Sequence, residues 1–149
     1  MNNTLGRLVL LTALAAPATL HAAKAYVIED IEQVHVSNRD YRPLSASEVK
    51  AAVIGAATSL GWIVTEAGSE SIKLRFERSS ARASFWVVIE VPYRDGSFGI
   101  RYVDSEGLRF REGGGQRVIH GSYKRWIDNL VVRVQSGDGP PAPAEETLD

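Results

Sequence analysis

His120 is the residue whose type and position best fit chemistry, because an imidazole at the edge of an apolar helix face can act as a general base. The pattern places it beside Tyr123 on a helix near the C-terminus. Catalysis would also need a partner, and the candidates at the end of the preceding strand are Ser105, Asp104 and Tyr102. A structural histidine bonded to a nearby carbonyl or hydroxyl fits the same pattern. We favour that interpretation because helical periodicity alone explains the residue.

Metal and phosphate chemistry have weaker support. Beyond the first 25 residues the histidines are His35 and His120, without the short His/Asp/Glu spacing of a familiar metal site. Gly113-Gly114-Gly115 could hold an anion at a helix start, but no phosphate-loop or dinucleotide signature follows. We expect a mobile linker there, no metal and no cofactor. The absence of cysteine excludes disulfides, thiolate zinc sites and cysteine nucleophiles.

Trp86 is the aromatic residue that the pattern places on an open sheet face. An exposed tryptophan can be a contact hot spot, and burial by the segment 26–36 is an equally good interpretation. Arginines such as Arg75 and Arg101 beside a tryptophan could bind single-stranded nucleic acid. Glutamates alternate with them, however, so cross-strand ion pairs are the simpler account, and we expect no nucleic-acid partner. The net charge of −1 demands no polyanionic partner either.

The elements that position these residues form one domain over 45–135. Ser45 and Glu48 form a capping box that opens a helix, and Gly61 is suited to end it. Alternation then predicts an antiparallel meander, whose strands meet at the hairpin signal Asp95-Gly96. The residues expected to face the core are Ile72, Leu74, Phe76, Phe85, Val87, Ile89, Val91, Phe98, Ile100 and Tyr102.

A loop over 105–116, with a short edge strand over 108–110, leads to a last helix over 117–134. The predicted fold class is therefore α+β, an antiparallel meander of three to five strands with two helices packed on one face. Residues 26–44 precede this domain as an N-terminal strand and extended segment. Residues 136–149, rich in proline and acidic side chains, are expected to be a disordered tail.

The first 25 residues have the pattern of a secretory signal peptide. Arg7 precedes an apolar run over 8–16 that is too short to span a bilayer. Ala23-Lys24-Ala25 has the Ala-x-Ala form of a cleavage site, and cleavage after Ala22 or Ala23 is also possible. We expect export to the periplasm with cleavage near Ala25, and no transmembrane span in the mature form.

Three motifs carry a resemblance to a known family. They are Leu60-Gly61-Trp62, Ile100-x-Tyr102-x-x-Ser105-x-x-Leu108 and Ile119-His120-x-x-Tyr123-x-x-Trp126-x-x-x-Leu130. Over about residues 45–134 the chain resembles small uncharacterised exported proteins of Gram-negative bacteria, many of them described as lipoproteins. The resemblance implies residence in the cell envelope and a compact α+β fold, and it supplies no activity. Gly107 and Lys124 stand where the family often has Asn.

The missing cysteine after the signal also departs from a lipoprotein, which argues against a lipid anchor. We therefore expect an exported non-catalytic domain that binds an envelope protein or a small ligand. Its candidate contact residues are Trp86, Tyr102, Ser105, His120 and Tyr123. Two alternatives remain open: a hydrolase of an envelope polymer with His120 as base, and a structural subunit of an envelope assembly.

Overall fold

The computed structural model describes residues 24–137, within which the chain forms eight strands and two helices. In chain order they are β1 (Ala25–Val27), β2 (Ile31–His35), α1 (Ala46–Ser59), β3 (Ile63–Ala67), β4 (Ser71–Ser79), β5 (Ser84–Arg94), β6 (Ser97–Glu106), β7 (Arg111–Gly113), β8 (Gln116–His120) and α2 (Ser122–Ser136). The apolar part of the signal segment and nearly all of the predicted acidic tail lie outside the described residues.

The strands form two antiparallel sheets. The larger sheet has the order β2-β6-β5-β4-β3, so that the predicted meander is extended by β2 at one edge. Asp95 and Gly96 form the turn between β5 and β6, with Gly96 at a φ of 70° that suits glycine. The smaller sheet has the order β1-β8-β7. The α+β fold class is confirmed, and the second sheet is an addition that the sequence did not indicate.

Both helices pack on the inward face of the larger sheet. The predicted capping box opens α1, because Ser45 Oγ accepts the Glu48 N–H at 3.3 Å and Glu48 Oε2 accepts the Ser45 N–H at 2.7 Å. From α2, the Trp126 ring stacks on Phe85 and contacts Phe76, with centroids 5.2 and 5.0 Å apart. Nine of the ten residues predicted to face inward are buried, and Phe85 is half-buried.

The segment before α2 differs from the prediction. Residues 117–120 belong to strand β8 rather than to the last helix, and the edge strand is β7 at 111–113 rather than 108–110. The cause is Gly114-Gly115, which forms the two-residue turn of the β7–β8 hairpin with φ of 59° and 76°. The glycines are therefore a hairpin turn, and the chain returns as a strand that pairs with β1.

Candidate functional site

Tyr102, Ser105 and Tyr123 lie together in one aromatic cluster. The hydroxyl groups of Tyr102 and Ser105 share a hydrogen bond of 2.8 Å. The Tyr102 ring stacks on Phe110, with centroids 4.9 Å apart, and meets the Tyr123 ring edge-on at 6.0 Å. Both tyrosine rings are buried, so the three predicted contact residues stabilise the interior of the domain.

An ion pair that the sequence did not reveal joins this cluster to both sheets. Asp30, between β1 and β2, accepts the Tyr102 N–H at 3.0 Å through Oδ1. Its Oδ2 lies 2.9 Å from Nη2 of Arg117 on β8. The pair therefore connects a strand of the larger sheet to a strand of the smaller one. The sequence predicts Arg117 as the first residue of the last helix, and no local pattern links it to Asp30.

Burial also fixes the protonation of the two phenols. It raises the pKa of Tyr123 far above the ordinary value, and the nearby Asp30 carboxylate raises it further. Burial likewise raises the pKa of Tyr102, although the hydrogen bond between its hydroxyl and that of Ser105 opposes this. Both side chains are therefore neutral near pH 7 and can donate hydrogen bonds, but they do not supply a phenolate base.

His120 stands apart from the cluster. It is the last residue of β8, and neighbouring residues on a strand point to opposite sides, so Ile119 enters the core while His120 faces away. Within residues 24–137 its ring accepts one hydrogen bond, from the Ser122 N–H to Nδ1 at 3.2 Å. Of the three partners proposed for it from the sequence, Ser105 and Tyr102 bond each other, and Asp104 Oδ1 accepts the Ser105 N–H. The structure does not assemble a His120 catalytic pair among these residues.

A pocket of about 460 Å³ lies on the side to which His120 faces. Its wall is formed where β1, the end of β8 and the first turn of α2 meet. The lining residues are Lys24, Ala25, Tyr26, His120, Gly121, Ser122, Lys124 and Arg125. This wall combines an aromatic ring, small apolar groups and three basic side chains. Such a surface can accept an anionic group that carries an apolar part.

Trp86 lies on the other face of the larger sheet, apart from both the cluster and the pocket. The Arg75 guanidinium carbon lies 4.5 Å from the centroid of the Trp86 ring. The indole Nε1–H of Trp86 donates to Glu106 Oε2 at 3.3 Å. Because β1 and β2 pair with β8 and β6 respectively, the N-terminal segment lies beside these strands rather than across Trp86. The ring is half-buried by its neighbours on the open face.

Ion pairs cover that open face. Lys73 on β4 bonds Glu66 on β3 at 2.8 Å, which is a cross-strand pair of the predicted kind. Arg75, however, bonds Glu77 on its own strand at 2.6 Å rather than a glutamate of a neighbouring strand. Between residues 24 and 137, no group of three or more His, Asp or Glu side chains is arranged to hold a metal ion. None of the helices in that range has the length and apolar character needed to cross a membrane.

Comparison with known proteins shows that the chain matches no family model, no curated protein sequence and no solved structure.

Proposed function

We propose that this chain is an exported, non-catalytic binding domain of the cell envelope, and that the pocket beside His120 holds an anionic small ligand. The observation that carries the proposal is the composition of the pocket wall. Signal-like residues at the N-terminus and the resemblance to exported envelope proteins support the compartment.

The charge of the pocket favours an anion. Lys24, Lys124 and Arg125 all line it, and among them Lys124 is held by Asp128 at 2.5 Å. Among residues 24–137, neither Lys24 nor Arg125 forms an ion pair. Two uncompensated cations around one concave site attract a carboxylate or phosphate and reduce the affinity for cations.

The apolar part of the wall adds a second requirement. Tyr26 and Ala25 offer apolar surface next to the basic side chains, so a ligand with both an anionic head and a short hydrocarbon part would contact both. Inorganic phosphate would satisfy the charges alone. An alkyl phosphate should therefore bind more tightly, because burial of each methylene contributes up to about 0.8 kcal/mol.

The contacts of the candidate chemical groups support binding over hydrolysis. The Nδ1 of His120 is used to cap α2, and the Ser105 hydroxyl is bonded to Tyr102. A general base must reach the proton that it removes, and these two groups are bonded to different structural partners.

Signal cleavage after Ala25 would preserve the sign of the pocket. It would remove the Lys24 ammonium together with Ala25, and it would create a new α-ammonium on Tyr26, whose side chain remains in the wall of the pocket. An α-amino group has an ordinary pKa near 8 and is mainly protonated at pH 7. Binding of an anion is therefore expected for either mature N-terminus.

The test is an NMR titration of the purified chain with inorganic phosphate and with hexyl phosphate. We expect saturable shifts of the Gly121 and Ser122 amides, with tighter binding of hexyl phosphate. Arg125→Glu should weaken binding of both probes at least tenfold. Arg82→Glu, which makes the same charge change in the exposed β4–β5 turn, should leave binding unchanged. Equal affinities for the two variants, or shifts elsewhere on the molecule, would refute the assignment of this pocket.

A further inference from the structure

The ring of His120 lines the pocket and also holds the backbone beside it. Its Nδ1 accepts the N–H of Ser122, the first residue of α2, at 3.2 Å, and both residues belong to the pocket wall. A ring nitrogen that accepts a hydrogen bond carries no proton, so the neutral ring has its proton on Nε2. His120 therefore bonds the Ser122 N–H only while the imidazole is neutral.

The pocket side of His120 is positively charged. The titratable and charged side chains that share the wall with it are Lys24 and Tyr26 from β1, and Lys124 and Arg125 from α2. None of the residues that line the pocket is acidic. Asp128, one turn further along α2, is paired with Lys124 at 2.5 Å. The negative charge in the pocket is therefore left for a ligand to supply.

The β7–β8 hairpin, which also packs beside His120, has the same sign on this side. Arg111 on β7 lies opposite Val118, which shares a face of the smaller sheet with His120. Glu112 is the acidic residue of the hairpin, and it lies opposite Arg117 on the other face of the sheet. A bound anion would thus be the negative group that faces His120, and it would favour the protonated ring.

Protonation of His120 would change two features of the pocket together. An imidazolium ring donates hydrogen bonds from both nitrogens, so Nδ1 would no longer accept the Ser122 N–H. The Ser122 N–H would need another acceptor, and the wall would gain a positive charge. An anionic oxygen meets both requirements, because it can accept the Nδ1–H and the Ser122 N–H at once.

We propose that the pocket binds its anion together with a proton. Nδ1 of His120 takes one proton from solvent, and an oxygen of the ligand replaces Nδ1 as the acceptor of the Ser122 N–H. His120 is thus a capping residue in the empty pocket and a ligand-binding residue in the occupied one. This inference rests on the proposed function, since it requires an anion in this pocket. Because linkage is reciprocal, acid should strengthen anion binding and the anion should promote proton uptake.

The first test is an NMR titration of the purified chain with hexyl sulfate, whose charge is the same at pH 5 and at pH 7. Histidine is the side chain whose charge ordinarily changes in this range. We expect binding about tenfold tighter at pH 5, reported by the Ser122 amide. His120→Asn keeps an acceptor for the Ser122 N–H but takes up no proton, so its affinity should be equal at both pH values. His35→Asn, the matched change at an exposed histidine on β2, should retain the pH dependence.

The second test follows the proton itself. Calorimetry in buffers of different ionisation enthalpy should show uptake of up to about one proton per bound hexyl sulfate near pH 6, and His120→Asn should show none. The nitrogen signals of the His120 ring should report an unprotonated Nδ1 in the free chain at pH 7 and a protonated Nδ1 in the complex at pH 5.

The outcomes separate this inference from the proposed function. If hexyl sulfate binds at neither pH, the pocket does not hold an anion, and both are wrong. If it binds equally at both pH values, or if His120→Asn keeps the pH dependence, the pocket holds an anion without the proton, and only the inference is wrong. A protonated Nδ1 in the free chain at pH 7 would also overturn it.

Discussion

His120 accepts the backbone N–H of Ser122 through Nδ1 at 3.2 Å, and the histidine thereby caps the helix that the sequence predicted it to lie on. The first N–H groups of a helix have no partner within it, and side chains just before it usually supply one. Gly121 already has helical angles, with φ of −59° and ψ of −17°, so His120 occupies the capping position in geometry. The residue therefore stabilises the domain independently of any ligand.

Replacing His120 should reveal this capping role. His120→Ala removes the acceptor and should lower the free energy of unfolding by about 1 kcal/mol. His120→Asn should retain most of the stability, because Asn Oδ1 is attached to Cγ as Nδ1 is in histidine. Chemical denaturation measures both variants, with Arg125→Ala as the control for a change in the same turn. Equal stability of the alanine variant and the natural chain would contradict the role.

The absence of a side chain at Gly121 allows the backbone just before β1 to lie against the start of α2. The Gly121 N–H donates to the Lys24 carbonyl at 2.8 Å, and a Cβ added to Gly121 would collide with that same oxygen. Alanine suits the helical φ of Gly121, so the collision rather than backbone conformation should dominate. We expect Gly121→Ala to speed amide hydrogen exchange in β1 and β8.

The same variant tests where the signal is removed. In a chain that begins at Tyr26 the Lys24 carbonyl is absent, and Gly121→Ala should leave exchange in β8 unchanged. The exported protein can be compared with both chains, while mass spectrometry reads its N-terminus. Unchanged exchange in a chain that retains Lys24 would show that the contact does not constrain position 121.

Local signals account for what could be predicted from the sequence. The capping box of Ser45 and Glu48 and the turn at Asp95-Gly96 act within a few residues, and both occur as predicted. Residues 117–120 were misassigned because Ile119 faces inward in a strand as well as in a helix, so periodicity did not separate the two. The turn at Gly114-Gly115 was the signal that could have done so.

The candidate site depended more on distant contacts. Asp30 and Arg117 are separated by 87 positions, and no spacing rule connects them. Tyr102, Ser105 and Tyr123 were correctly singled out as neighbours, but the assignment of His120 to the same surface followed from the wrong helix boundary. The misassignment of residues 117–120 therefore placed the His120 side chain on the surface of the cluster, whereas in the structure it faces away from the core that Ile119 enters.

Glu48 should make the domain sensitive to acid. The hydrogen bond from Arg42 and then that from the Ser45 N–H lower the pKa of Glu48 from 4.5 to about 2. The unfolded chain therefore binds a proton at Glu48 more readily than the folded chain does. The stabilisation that ionised Glu48 gives the fold is complete above about pH 4.5 and is lost as the pH falls towards 2. Melting temperatures of the natural chain and Glu48→Gln should differ most at pH 7 and converge near pH 2. Arg42→Ala should show a smaller pH dependence in this range, and parallel curves for all three chains would exclude the effect.

Trp62, which directly precedes β3, and Trp86 on β5 should contribute very different amounts to the free energy of unfolding. Trp62 is 3% exposed and packs on Phe76 with centroids 5.2 Å apart, so Trp62→Ala should cost about 3–5 kcal/mol. Trp86 lies on the open face against Arg75, where the cation–π contact contributes about 0.5–1 kcal/mol, and Trp86→Phe should retain part of it. Urea denaturation compares the three variants, and Trp86→Ala should cost clearly less than Trp62→Ala. Similar losses of unfolding free energy in the two alanine variants would mean that Trp86 is a core residue, and Trp86 would then not be a candidate contact residue.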